Sequence, residues 1–169
     1  MSAAHPEDAR IRPPRVPTLF VMVGLPASGK TTLAKRLEHE HDALRLTKDD
    51  WMMPLFGWGE YQDKREVVEA LLWGIGARAL QLGVDVVLDY GLWAQEEREQ
   101  YRDRALALGA RVDFRFLDVP EEELVRRMEA RNRRRDPNDV PITVGQLREY
   151  LPRFERPTDD ELAGWSALR

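Results

Sequence analysis

The chain contains no cysteine. That excludes disulfides, thiolate nucleophiles and cysteine-ligated zinc together. Histidine is scarce too, with three residues. Two of them, His39 and His41, stand two apart near a predicted helix end, so they point in different directions and make a poor metal pair. No apolar run approaches the roughly 20 residues that span a bilayer. The opening stretch MSAAHPEDARIRPPRVP lacks the apolar segment of a secretory signal. A cytoplasmic location without a membrane partner is the expectation. Aromatic residues make up only 8%, and the net charge is a modest −4. With a pI near 5.5 the chain does not advertise the basic face of a duplex-binding domain, so nucleic acid is disfavoured as a partner.

What is present reads as strand and helix in alternation. At 169 residues, 43% hydrophobic and 33% charged, the chain has length for one domain with a real core. Residues 1–17, proline-rich and aperiodic, are expected to be a flexible leader, and residues 18–169 the folded domain. TLFVMV predicts a buried strand, ALRLT (43–47) a second, VDVVLD (84–89) a third and RVDFRFLDV (111–119) a fourth. The charged alternation of the fourth suits a sheet edge. Apolar residues at 67, 68, 71, 72, 75, 79 and 82 have helical spacing. Further helices are expected over about 30–39, 95–108, from Pro120 through the arginines, and over 143–154. The stretch after Thr47, KDDWMMPLFGWGEYQD, reads as a loop, and GWSAL near the end as a candidate fifth strand. Such alternation implies a three-layer α/β/α sandwich around a mostly parallel sheet of four to five strands.

Gly24-Leu25-Pro26-Ala27-Ser28-Gly29-Lys30-Thr31 fills every fixed position of G-x-x-x-x-G-K-[ST], between a predicted strand and a predicted helix. Its glycines let the backbone wrap closely, so that amide N–H groups point at a phosphate. The helix that follows adds the positive end of its dipole. The binding set is Gly24, Pro26, Ala27, Ser28, Gly29, Lys30, Thr31 and Thr32. Lys30 reaches the β- and γ-phosphates, and Thr31 ligates magnesium. The cofactors expected are therefore ATP, or GTP, with Mg²⁺.

Transfer of a phosphoryl group to a hydroxyl benefits from a carboxylate that orients the hydroxyl and takes its proton. In a sheet of this kind the candidates lie at the C-terminal strand ends. Asp49 follows strand two and is the better base; Asp50 reads equally well as a helix cap. Asp89 ends strand three and suits magnesium or acceptor positioning. Asp118 also ends a strand, but it can be explained by the start of the next helix. In LVRRMEARNRRR the residues Arg127 and Arg131 are four apart on one helix face, placed to neutralise charge on a transferred phosphoryl group. They belong to an arginine-rich helical lid expected over about 127–141. Trp51, Met52, Trp58 and Trp93, in the segments after strands two and three, are candidates with Asp50 and Asp89 for an acceptor pocket. An aromatic lining suits a small, partly apolar molecule.

GLPASGKTT, TKDDW, VVLDYGLWAQEERE, FLDVPEEELVRRMEARN and PITVGQLREYLPRFERP occur in an order that resembles the small P-loop kinases akin to the 5′-hydroxyl kinase domain of phage polynucleotide kinase. Chloramphenicol phosphotransferase and the zeta toxins are more distant relatives, and bacterial members usually carry a generic AAA-type ATPase label. The resemblance covers about residues 18 to 160. It implies that Asp49, after Lys48, takes the catalytic place, and that Arg127 and Arg131 match lid arginines on the ATP phosphates. Two departures fall on the acceptor side. Met52 stands where the polynucleotide kinase has an arginine, and Tyr90-Gly91 replaces a Thr-Asn pair. The expected activity is an ATP- and Mg-dependent phosphotransferase acting on a hydroxyl of a small molecule, a metabolite or antibiotic. The alternatives are a polynucleotide 5′-hydroxyl kinase and, from another class, a nucleotide-dependent switch or assembly ATPase.

Overall fold

The computed structural model describes residues 15–56, 61–134 and 141–166. The run TLFVMV forms β1 (Thr18–Val23) because its apolar residues can be buried on both faces of a sheet. Leu19, Val21 and Val23 enter one hydrophobic cluster, while Phe20 and Met22 enter another on the opposite face. The other strands are β2 (Leu44–Leu46), β3 (Val86–Leu88) and β4 (Arg111–Phe116). Their order is β2-β3-β1-β4 and every pairing is parallel, with Leu44↔Val86, Phe20↔Val87 and Val21↔Phe114 in register. The fourth strand is at the edge, as its charged alternation predicts. All four C-terminal strand ends therefore lie along one rim of the sheet.

The helices cover both faces. On one side α1 (Lys30–His41) buries Ala34 and Leu37 against Phe20, Met22 and Val87. On the other, α3 (Tyr61–Gln81) and α4 (Gln95–Ala107) bury Val68, Leu72, Leu80, Tyr101 and Ala105 against Leu19, Val86 and Leu88. A third cluster joins α5 (Glu121–Arg134) and α6 (Val144–Tyr150) to the glycine loop, through Leu124, Met128, Leu147 and Leu25. No helix among the described residues is long and apolar enough to cross a membrane.

Two sequence expectations are corrected. Residues Lys48–Phe56 are not a loop but a helix, α2, despite Pro54 within it. Its first turn carries Asp49 and Asp50, whose charges suit the positive helix end, and Asp50 N–H begins the turn by donating to the Thr47 carbonyl at 3.2 Å. The tail is not a fifth strand either: GWS lies in α7 (Asp159–Ser166), so the described sheet has four strands. The Thr158 hydroxyl accepts from Glu161 N–H at 3.2 Å, capping the helix. Trp165 stacks on Phe114 with ring centroids 4.4 Å apart. Glu161 forms a bidentate pair with the fully buried Arg98, at 2.7 and 3.1 Å, and Arg98 also donates to the Trp93 carbonyl at 2.8 Å. The tail thus holds the segment after β3 in place.

Candidate functional site

Residues from all four strand ends meet at the sheet rim. From β1 the chain enters the glycine loop and turns into α1 at Gly29, whose φ of 100° favours a residue without a side chain. Gly24 packs so closely that a Cβ there would stand 3.0 Å from the Leu117 carbonyl oxygen after β4. The loop is therefore held against the strand beside it. Pro26, Ala27 and Lys30 are half-buried, Ser28 is buried, and Thr31 and Thr32 are exposed at the start of α1.

Lys30 is the centre of charge. Its ammonium donates to the Leu25 carbonyl at 2.7 Å. Burial lowers its pKa from 10.5 to about 8, opposed by the carboxylates of Asp89 and Asp49 and reinforced by Lys48 and Arg131. The charges of Asp49, Asp89 and Arg131 all act on this one ammonium group. Arg127 approaches from α5: its Nη1 donates to the Ser28 carbonyl at 3.2 Å, and its Nε pairs with Glu123 at 2.5 Å. Arg131 stands one turn further along the same face of α5. Of the expected lid, residues 135–140 lie outside the described residues.

Asp89 is buried directly after β3. Burial raises its pKa, against hydrogen bonds from Thr31 and Thr47 and the charges of Lys30 and Arg45. The Thr47 hydroxyl donates to it at 3.3 Å. Thr31 and Asp89 thus bring a hydroxyl and a carboxylate oxygen together beside the loop. That donor set fits magnesium, a hard cation that takes oxygen ligands and completes its shell with water and phosphate. No group of three or more acidic or histidine side chains poised to hold a metal by themselves occurs among the described residues.

Asp49 and Asp50 part company on α2. Asp49 is half-buried and faces the Lys30 side. Asp50 is exposed and its carboxylate lies 3.3 Å from Arg45, which also pairs with Glu38 at 2.8 Å and donates to Thr47.

The aromatic set does not gather as expected. Met52 is wholly buried in the main core with Tyr90 and Leu88. Trp93 packs with Tyr150 in the α5–α6 cluster, with centroids 5.2 Å apart. Trp51 is exposed on α2, and Trp58 lies outside the described residues. The segment's long apolar side chains have no period in sequence, so which of them the helix would bury was unreadable before the helix itself was known.

Three contributors went unrecognised in sequence: Arg45, Thr47 and Gly91. Thr47 stands at a C-terminal strand end, a signal that could have found it. Gly91 lies two residues beyond Asp89 with φ +75°, and a Cβ there would stand 2.6 Å from Lys30 Cε and 3.1 Å from the Gly24 carbonyl. It makes room for the lysine stem. Gly91→Ala should therefore displace Lys30 and weaken ATP binding about tenfold or more, roughly 1.4 kcal/mol per decade. Calorimetric titration with ATP checks this, and unchanged affinity would show that the stem does not depend on that space.

A family model described as an AAA domain matches residues 19–157. No curated protein matches the sequence. Among solved structures, the chain is similar to one in the Pnkp1/Rnl/Hen1 RNA repair complex, with 20% identity and a TM-score of 0.70. That likeness covers 86% of this chain but 46% of the other, so the chain spans less than half of that relative. It is similar to Chaetomium thermophilum Kti12 in complex with ADP-AlF3, at 19% identity and a TM-score of 0.65, over 89% of this chain and 94% of that one. A gluconokinase from Sinorhizobium meliloti is similar at 19% identity and a TM-score of 0.59, over 86% and 79% of the two chains. At such identities the likeness shows the fold, a kinase-like P-loop α/β sandwich.

Proposed function

The chain belongs to the AAA-domain family of P-loop proteins, and from that premise we propose that it is a kinase transferring the γ-phosphoryl group of ATP to a hydroxyl of a small molecule. The observation that carries the reading is a second carboxylate near Lys30. Asp89 sits with Thr31, whereas Asp49 approaches the same ammonium from α2, on a different strand end. A switch ATPase needs only the first; transfer to a hydroxyl has a use for both.

The loop amides and Lys30 hold the triphosphate, and GTP would fit the same phosphate cradle. Thr31 and Asp89 would hold magnesium, which would supply positive charge to the triphosphate. Asp49 orients the acceptor hydroxyl, whose oxygen bonds to the γ-phosphorus as the bond to the β–γ bridging oxygen breaks. The hydroxyl proton passes to Asp49, and ADP leaves. Arg127 and Arg131 face the transferring group from α5. A cytoplasmic protein with ready access to ATP is the setting this chemistry suits.

The test is label transfer from γ-labelled ATP to metabolites, antibiotics and 5′-hydroxyl oligonucleotides, counted in product. Release of labelled phosphate alone, independent of any acceptor, counts against a kinase. A second reading, transfer to a polynucleotide 5′-hydroxyl, draws support from the likeness to the RNA repair complex chain and from the exposed Trp51 ring, which offers a stacking surface. Arg127→Ala and Arg131→Ala should each lower kcat about tenfold or more with little change in acceptor KM, because a group that stabilises developing charge acts in the transition state. Steady-state kinetics on both variants decide it; unchanged kcat in both would return these arginines to the role of a solvated helix end.

A further inference from the structure

The cations around Asp49 are already neutralised by carboxylates of the chain itself. Arg45 pairs with Glu38 at 2.8 Å and Asp50 at 3.3 Å. Lys48, next to Asp49, pairs with Glu69 at 3.1 Å, and both side chains are largely buried. Arg65 reaches the same Glu69 at 2.8 Å and Glu97 at 3.6 Å. The remaining basic residue of this region, Lys64, is exposed on α3, where a lone solvated charge adds little.

A second observation comes from beside this cluster, where Tyr90 packs edge-on against Tyr101 with ring centroids 6.1 Å apart. Tyr90 is 6% exposed, and its hydroxyl has no hydrogen-bond partner among the described residues. Glu69 and Tyr101 are its electrostatic neighbours. A buried hydroxyl left without a partner costs about 1–3 kcal/mol, so such groups usually meet a ligand or water.

We infer that the acceptor is an uncharged polyhydroxylated molecule, bound by hydrogen bonds from the Lys48–Glu69–Arg65 network and the Tyr90 hydroxyl, and not a polyanion. This rests on the kinase reading and narrows it. With Glu97, which Arg65 also reaches, Lys48 and Arg65 stand against Glu69 and Glu97, two cations on two carboxylates, and together offer both donors and acceptors to a set of hydroxyl groups. They supply no net positive field, which a phosphodiester chain would need. Arg45, Lys48 and Arg65 cannot release their carboxylates to bind phosphate without leaving buried or half-buried charges unpaired.

The experiment measures label transfer from γ-labelled ATP by the full chain to a panel of neutral polyols and sugars and, separately, to a 5′-hydroxyl oligonucleotide, each at low and high potassium chloride. The expected result is labelled polyol, with an acceptor KM that moves less than about twofold with salt. Label only in the oligonucleotide, with KM rising about tenfold or more with salt, overturns the inference and leaves the kinase reading standing. No label in either arm while ATP is bound and hydrolysed overturns the kinase reading and the inference with it. Tyr90→Phe supplies a second test, because it removes the hydroxyl and keeps the ring in the core. It should raise the polyol KM about three- to tenfold at unchanged kcat and unchanged ATP KM. An unchanged polyol KM removes Tyr90 from the site.

Discussion

Replacing Lys30 with alanine should lower phosphoryl transfer at least about 10³-fold, the upper range for one preorganised donor on developing charge. The reason is geometric. Lys30 is the ammonium group beside the loop that Asp49 and Asp89 both approach. Arg127 reaches the loop backbone from outside, at the Ser28 carbonyl, and cannot take its place. The variant should fold as well as the parent. Lys30 pays a desolvation cost in the free protein, seen in a pKa lowered by burial to about 8, so its removal relieves a buried charge.

That lowered pKa also predicts a pH dependence with two opposite signs. A lysine whose pKa falls from 10.5 to about 8 on folding binds fewer protons in the native than in the unfolded state between those values. Stability contributed by this group therefore rises with pH across that window, and the charge penalty is full below about 8. ATP binding runs the other way, because the triphosphate needs the charged form. Affinity should be level below about pH 8 and fall above it, with proton uptake on binding. Calorimetry in buffers of different ionisation enthalpy reads that uptake, and Lys30→Ala should abolish it. Uptake that persists in the variant would assign the titration to another group.

The glycine-loop half of the candidate site can be read from the sequence and the half built around α2 cannot, for physical reasons. The glycine loop works through backbone geometry, so Gly24, Gly29, Lys30 and Thr31 must stand at fixed spacing in one short segment. Asp49 and Asp89 were legible because a parallel sheet brings C-terminal strand ends together, whatever the strands' order. The sandwich itself followed from alternating strand and helix periods, and the edge position of β4 from its charges. The acceptor side depends instead on pairings across 21 residues, as in Lys48–Glu69, and on a helix that Pro54 argues against. Once α2 forms, Met52 turns into the core, a fate that its neighbours in sequence do not reveal. The tail was misread although it held a usable signal: Thr158-Asp159-Asp160-Glu161 has the spacing of a capping box, and α7 begins there.

Asp49→Asn separates binding from chemistry most sharply. The amide keeps the size of the carboxylate and still hydrogen-bonds, but it cannot take the acceptor's proton at neutral pH. ATP affinity should hold, because the glycine loop, Lys30 and the Thr31–Asp89 pair are untouched. Removing a negative charge near the triphosphate favours binding, while losing the support that Asp49 gives to the charged form of Lys30 opposes it, so little net change is expected. Transfer should fall about 10²-fold or more, the usual contribution of a positioned base. Asp50→Asn is the control. Asp50 is exposed and shares Arg45 with Glu38 and Thr47, so its loss leaves Arg45 held and transfer nearly intact. The measurement is paired on both variants: ATP binding by calorimetry and transfer by labelled product. Should Asp50→Asn be dead and Asp49→Asn active, the first turn of α2 presents the other carboxylate to the acceptor and the assignment shifts by one residue. If both stay active, proton transfer does not run through α2, and Asp89 becomes the carboxylate to replace next.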